Sequence, residues 1–89
     1  MTRVLAKAAD QFSETVIDDE IVVMSLASGD FFSLTGSARA IWELIDGTRT
    51  RAALLADLAA AFGRTEADLA GDVDAFVAQL GSAGLLEPD

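Results

Sequence analysis

The side chains in this sequence that could carry out chemistry are carboxylates and hydroxyls, because its 89 residues include no histidine and no cysteine. Histidine is the commonest general base and metal ligand, and cysteine supplies thiolates for catalysis and metal binding. A serine nucleophile needs an activating base, and the only lysine, Lys7, lies in the N-terminal segment rather than on a predicted helix. We therefore expect a protein that is not an enzyme.

Neighbouring carboxylates, Asp18 with Asp19 and Asp72 with Asp74, are the remaining candidates for acid–base chemistry or for binding a divalent cation. Adjacency alone does not give either pair the ligand spacing of a metal site, and solvated surface acids are the simpler explanation. The glycines are dispersed and form no phosphate-binding loop. The sequence predicts no cofactor and no bound metal.

The acidic net charge of the chain argues against negatively charged binding partners. A net charge of −9 and a pI near 4.1 disfavour phosphate backbones and anionic membranes, since each encounter would begin with repulsion. The first seven residues lack the apolar core of a signal peptide, and no run approaches the roughly 20 apolar residues of a membrane span. We expect a cytoplasmic protein that binds neither nucleic acid nor membranes.

The elements that must position any site begin with three strands. Residues 12–17 mix β-branched and aromatic side chains, residues 21–27 form the most apolar strand, and residues 31–34 complete an antiparallel meander. Asp18–Glu20 and Ser28–Asp30 supply the turns. The apolar second strand is expected at the centre of the sheet.

Three helices are predicted to follow, each preceded by a threonine N-cap at Thr35, Thr50 or Thr65. Apolar residues recur at helical spacing behind each cap, and Gly47 and Gly63 are expected to end the first two helices. We predict an α+β domain over residues 11–89 of winged helix-turn-helix type, with a three-stranded antiparallel sheet followed by three helices. Residues 1–10 show no period and are predicted to form a loosely held arm.

Two binding functions, in a DNA-binding protein and in a carrier protein, fit parts of the sequence. A winged-helix DNA-binding protein would need basic residues on its recognition helix, but the chain has no lysine or arginine after Arg64. An acyl or peptidyl carrier is suggested by Asp30–Ser37, which looks like the carrier motif D-x-F-F-x-L-G-G-x-S. The modified serine of that motif would fall at position 38, which is alanine, and Ser37 comes one residue early.

A third resemblance covers nearly the whole chain after residue 12. Gly29–Ala38 leads into Ile41-Trp42 and Gly47-Thr48, and the segment with Asp72, Val73 and Phe76 is followed by Gly84–Leu86. In this order the motifs resemble the PqqD family. One departure is Thr35, where the family usually has asparagine, although both residues cap helices.

The resemblance implies a RiPP recognition element, a domain that binds the leader segment of a ribosomally made precursor peptide and presents it to a modifying enzyme. Partners of this kind include lasso-peptide leader proteases and radical enzymes. The leader would add a strand to the exposed third strand, whose open edge also permits pairing into a homodimer. The residues expected to bind the peptide are Asp30, Phe31, Phe32 and Ser33 on the strand, and Asp72, Ala75, Phe76 and Gln79 on the third helix.

Within this set, Phe76 is expected to line an apolar leader pocket, with small Ala75 leaving room, or else to belong to the core. Asp72 is expected to attract a basic leader residue. Phe32 alternates with Leu34 on one strand face, and both fit the core better than a peptide contact. Trp42 is predicted to be a core residue whose indole N–H bonds to a backbone carbonyl.

Overall fold

Three antiparallel strands followed by three helices make up a computed structural model that describes residues 4–87. A single 3-10 turn, Ala9–Gln11, precedes the first strand. The strands are β1 (Phe12–Ile17), β2 (Glu20–Ser25) and β3 (Phe31–Leu34), and the helices are α1 (Gly36–Leu44), α2 (Arg51–Phe62) and α3 (Glu66–Ser82). The predicted α+β order is confirmed.

β2 lies at the centre of the sheet, between β1 and β3. A two-residue turn, Asp18–Asp19, joins β1 to β2, and Asp18 has a φ of +55°, the left-handed conformation that such hairpins use. β2 was predicted to reach Ala27 but ends at Ser25. The chain turns there because the Ser25 carbonyl accepts a hydrogen bond from the Gly29 N–H at 2.7 Å.

Two of the three predicted N-caps form their side-chain bond. The hydroxyls of Thr50 and Thr65 each accept a hydrogen bond from a backbone N–H of the first helical turn at 3.1 Å. Thr35 occupies the N-cap position of α1, but its hydroxyl makes no capping bond, contrary to the prediction. The next residue, Gly36, has a φ of +57°, so the first turn departs from the helical geometry that would aim an amide at that hydroxyl.

The C-terminal end predicted for α1 is also wrong. α1 ends at Leu44 with Ile45 as its C-cap, whereas Gly63 ends α2 in the left-handed region as predicted. The Ile45 side chain is fully buried, so the chain leaves the helix where that residue enters the core. Gly47 belongs to the following loop, and its N–H donates to the Leu5 carbonyl at 3.0 Å.

The N-terminal segment over residues 4–8 is tied to the domain and does not form the loose arm that the sequence predicts. Leu5 N–H donates to the Arg49 carbonyl at 2.8 Å, Ala8 N–H donates to the Leu85 carbonyl at 2.9 Å, and the Ala8 side chain is buried. These bonds join segments far apart in sequence, which no local periodicity signals. The remainder of the predicted arm at residues 1–3 lies outside the described residues.

One face of the sheet packs against the helices to form a single core. Large apolar side chains from β2, β3 and all three helices meet there, and each contributes roughly 1.5–3 kcal/mol when fully buried, before entropy is subtracted. The largest fully buried side chains are those of Trp42, Ile41, Ile45, Leu54, Leu58, Leu80 and Leu85. We call the sheet surface on this side the core face and the opposite surface the outer face.

Candidate functional site

β3 is an edge strand, since it pairs with β2 on one side and no other strand among residues 4–87 pairs with its second side. The backbone ladder between β2 and β3 has a defined phase. The Ser25 N–H donates to the Asp30 carbonyl at 2.9 Å, and these two residues lie opposite each other in the β2–β3 register. Hydrogen-bonded and non-bonded pairs then alternate along the antiparallel ladder.

This phase decides which backbone groups of β3 a new strand could bond. Bonded pairs recur every second residue along β3, counted from Asp30. The backbone groups of Phe32 and Leu34 therefore bond to β2, opposite Val23 and Ile21. The N–H and C=O groups of Phe31 and Ser33 therefore point away from the sheet. The edge offers the two donors and two acceptors that an added strand needs.

The side chains of the predicted strand residues have different environments. Phe31 is 69% exposed on the outer face, whereas Phe32 on the core face is half-buried and packs against the core. The Ser33 hydroxyl donates to the carboxylate of Glu20, its neighbour on the outer face. Asp30 is exposed at the start of the strand. Backbone groups and the Phe31 side chain are thus accessible, while Phe32 contributes mainly to the core.

The predicted helix residues lie on one flank of α3. Asp72, Ala75 and Gln79 are exposed, and Phe76 is half-buried against the core. Phe76 and Phe32 pack on the same core, but no hydrogen bond within residues 4–87 joins the α3 residues to β3. The two halves of the predicted site therefore pack against the same core cluster, and no hydrogen bond between them is found in this range.

A cavity of about 740 Å³ lies elsewhere, and none of the predicted site residues lines it. Val77 and Gly81 line it from α3, facing the N-terminal segment that includes Leu5 and Ala8. On a helix of 3.6 residues per turn, these α3 positions lie on the flank opposite Asp72 and Gln79. The N-terminal segment, α3 and the C-terminal residues Gly84, Leu86 and Glu87 line this open cavity, and the β3 edge does not.

One ion pair, between Arg51 and Asp74, lies on the flank of α3 opposite Asp72. Arg51 of α2 donates to both carboxylate oxygens of Asp74, with Nη2 2.8 Å from Oδ2, and this hydrogen bonding lowers the pKa of Asp74 below its usual value. Asp72 has no ion-pair partner within the described part of the chain. Its carboxylate is exposed.

Trp42 organises a polar cluster that the sequence does not reveal. The side chain is fully buried, and its indole N–H donates to Oε1 of Glu14 at 2.5 Å rather than to the predicted backbone carbonyl. The Phe12 ring meets it edge-on at 5.1 Å, and the Lys7 ammonium lies 4.5 Å from the ring centroid. Burial lowers the pKa of Lys7, and the nearby Glu14 carboxylate partly opposes that shift. This cluster holds the N-terminal segment and β1 to α1, so we interpret it as structural.

Within residues 4–87, no group of three or more acidic residues is placed to hold a metal ion. Over the same range, no helix has the length and apolar character needed to cross a membrane.

Comparison with known proteins gives a family match and a structural match. The family model for coenzyme PQQ synthesis protein D (PqqD) matches residues 20–86. A solved structure of TbiB1 in complex with the TbiA(beta) leader peptide shares the fold, with a TM-score of 0.79 and 24% sequence identity. The match covers 100% of this chain and 98% of that one. No curated protein sequence matches the chain.

Proposed function

The chain belongs to the PqqD family, and from this premise we propose that it binds the leader segment of a ribosomally made precursor peptide as a fourth strand on β3. The observation that carries the proposal is the free edge, where the N–H and C=O groups of Phe31 and Ser33 point outward. The fold match to TbiB1, a structure that contains a leader peptide, supports it. The chain itself catalyses no reaction in this proposal.

Side chains of the added strand would alternate between the two faces of the sheet. Those directed to the core side would meet the apolar region beside Phe32 and Phe76, with Ala75 leaving room and Gln79 close by on the same flank of α3. Asp72 and Asp30, both exposed, would attract basic leader residues. Backbone bonds provide affinity here, and these side chains provide selection.

We further propose that the bound leader is delivered in the cytoplasm to a modifying enzyme, such as a leader protease or a radical enzyme. Binding through a strand edge leaves the rest of the precursor peptide outside the domain, where an enzyme can reach it. Pairing of two copies through β3 would use the same backbone groups. A homodimer of that kind would therefore compete with the leader.

Fluorescence polarisation with the labelled leader segment of a candidate precursor peptide tests the proposal. Ser33→Pro removes one outward N–H and leaves the ladder to β2 intact, so we expect binding to weaken at least about tenfold. Ser33→Ala keeps the N–H and should bind within about twofold of the original chain. Val16→Pro removes an outward N–H from the β1 edge, by the same alternation, and should also leave binding unchanged.

Phe76→Asp in the same titration tests the helix side of the site. A carboxylate beside the apolar region should weaken leader binding, and circular dichroism checks that the variant remains folded. Undiminished binding by both folded variants, Ser33→Pro and Phe76→Asp, would show that the strand-addition proposal is wrong.

A further inference from the structure

The outer face of the sheet carries a band of apolar side chains beside the polar residues Ser13, Thr15, Glu20 and Ser33, although no helix among residues 4–87 packs on it. Val22 and Met24 point to this face, and Leu26 continues the same alternation because its N–H donates to the Gln11 carbonyl at 2.9 Å in the β1–β2 register. None of these side chains joins the hydrophobic core. The apolar stripe of the outer face consists of Ile17, Val22, Met24, Leu26 and Phe31.

This composition departs from the usual pattern of a sheet with one face covered. An antiparallel sheet of that kind alternates apolar residues toward the core with polar residues toward water. Here β2 is apolar on both faces, and the stripe includes Phe31, Leu26 and Ile17 with 69%, 57% and 50% of their surface exposed. Contiguous exposed apolar surface is typical of an interaction site.

Carboxylates border the stripe at both ends. Asp18 and Asp19 occupy the β1–β2 turn, Asp30 precedes β3 at the opposite end, and Glu20 lies on the outer face itself. Arg39 contacts this border, since its Nη1 lies 3.5 Å from the Asp18 carbonyl oxygen, and its Nε is already paired with Glu43 at 2.6 Å. Four carboxylates therefore surround the stripe, against one arginine that is paired with a further carboxylate.

The other cations described lie away from this face. Arg49 and Arg51 form ion pairs with carboxylates of the helices and their connections, and Lys7 lies over Trp42 on the core side. Arg64 belongs to the connection between α2 and α3. Within residues 4–87, Arg39 is therefore the basic side chain that contacts the acidic border of the stripe, and it is already paired with Glu43.

We propose that the outer face docks an amphipathic helix of a partner protein whose apolar stripe is flanked by lysine or arginine. Three strands about 4.8 Å apart span roughly 10 Å, which is the width of one α-helix. A second copy of this chain is a poor occupant because it would bring a further net charge of −9 against the same carboxylates. The backbone edge of β3 stays open, so a peptide strand and the partner helix can be bound side by side.

A synthetic helical peptide of leucine and lysine, about four turns long with one leucine stripe, provides a defined probe. Calorimetric titration should show binding, and methyl NMR should show shifts of Val22, Met24 and Leu26. A leucine–glutamate peptide with the same stripe should not bind, because its charges repel the acidic border. The double variant Val22→Thr/Met24→Thr should weaken binding at least about tenfold by removing two apolar side chains from the contact.

Val16→Thr is the matched control, since Val16 is 58% exposed on the same sheet but its position belongs to the core face. This variant should bind within about twofold of the original chain. Equal binding of both peptides, shifts confined to other surfaces, absence of binding, or full affinity of the double variant would each overturn the proposal. A dimer in sedimentation experiments that the double variant abolishes would assign the face to a second copy instead.

Discussion

The hydrogen bond between Glu14 and Trp42 shows that an exposed residue can supply the acceptor for a buried N–H group. Glu14 lies on the core face of β1, and its carboxylate accepts the N–H of an indole that has no exposed surface. A buried donor left without an acceptor loses its hydration and gains nothing in return. Glu14 is therefore a structural residue, although its type and its place in a short strand suggest a solvated charge.

We expect Glu14→Ala to lower the free energy of unfolding by about 1–3 kcal/mol, because the indole N–H loses its acceptor. Glu14→Gln keeps an acceptor oxygen and should lose less. Urea unfolding measures both, and Thr15→Ala, on the adjacent outer-face position, should change stability by only about 0.5 kcal/mol. If both variants lower the free energy of unfolding equally, the hydrogen bond to Trp42 is not the reason that Glu14 stabilises the fold.

The sequence predicts that Trp42 is a core residue but does not indicate its hydrogen-bond partner. The helical spacing of Ile41, Trp42 and Ile45 is a local pattern, and it marks the buried face directly. Glu14 lies 28 residues earlier in the chain, so only the tertiary structure brings the two together. The same holds for Lys7, whose position over the Trp42 ring depends on backbone bonds to the C-terminal segment.

Among the helices and strands, the features that depend only on neighbouring residues are the ones the sequence predicts correctly. Thr50 and Thr65 cap α2 and α3, and Gly63 ends α2, because these roles depend on only a few neighbouring residues. The end of α1 depends instead on where Ile45 enters the core, and Gly47 gives no information about that. The exposed β3 edge was predicted from strand order, but its phase needed the backbone bond between Ser25 and Asp30.

The ion pair between Arg51 and Asp74 joins α2 to α3, and its effect should depend on pH. The folded-state pKa of Asp74 is lowered by the Arg51 hydrogen bond, so the unfolded chain binds more protons as the solution becomes acidic. The stabilisation is present above the unfolded pKa of about 3.9 and is lost as the pH falls through the lower folded pKa. Because both side chains are exposed, the effect at neutral pH should be small.

We expect Arg51→Gln to be slightly less stable than the original chain at pH 7 and equally stable at about pH 2, where Asp74 is protonated in both states. Urea unfolding across this range measures the difference. Arg64→Gln is the control, since Arg64 forms no ion pair within residues 4–87, and its difference should not vary with pH. A constant gap for Arg51→Gln would mean that the arginine acts through packing rather than charge.

At the scale of the whole molecule, β3 contributes to two adjacent surfaces. The unpaired N–H and C=O groups of its edge point away from β2 in the plane of the sheet, and the Phe31 side chain projects from the outer face. Both surfaces lie in the field of a chain with fifteen acidic and six basic residues. A basic peptide and a basic partner helix would therefore be attracted to the same side of the domain, which places a bound peptide next to whatever occupies the outer face.

The same charge imbalance predicts opposite effects of salt on folding and on binding. Raising sodium chloride from 10 mM to 150 mM shortens the screening length from about 30 Å to about 8 Å. Exposed pairs such as Arg39–Glu43 lose little because each is weak, whereas repulsion among the excess carboxylates acts over the whole surface and is relieved. The melting temperature should therefore rise, while the association rate of a lysine-containing leader should fall several-fold.

Replacing Asp18 and Asp19 by asparagine should reduce both salt effects. Calorimetry measures the melting temperature, and stopped-flow fluorescence measures the association rate. A melting temperature that falls with salt would mean that the ion pairs outweigh the net charge in this fold.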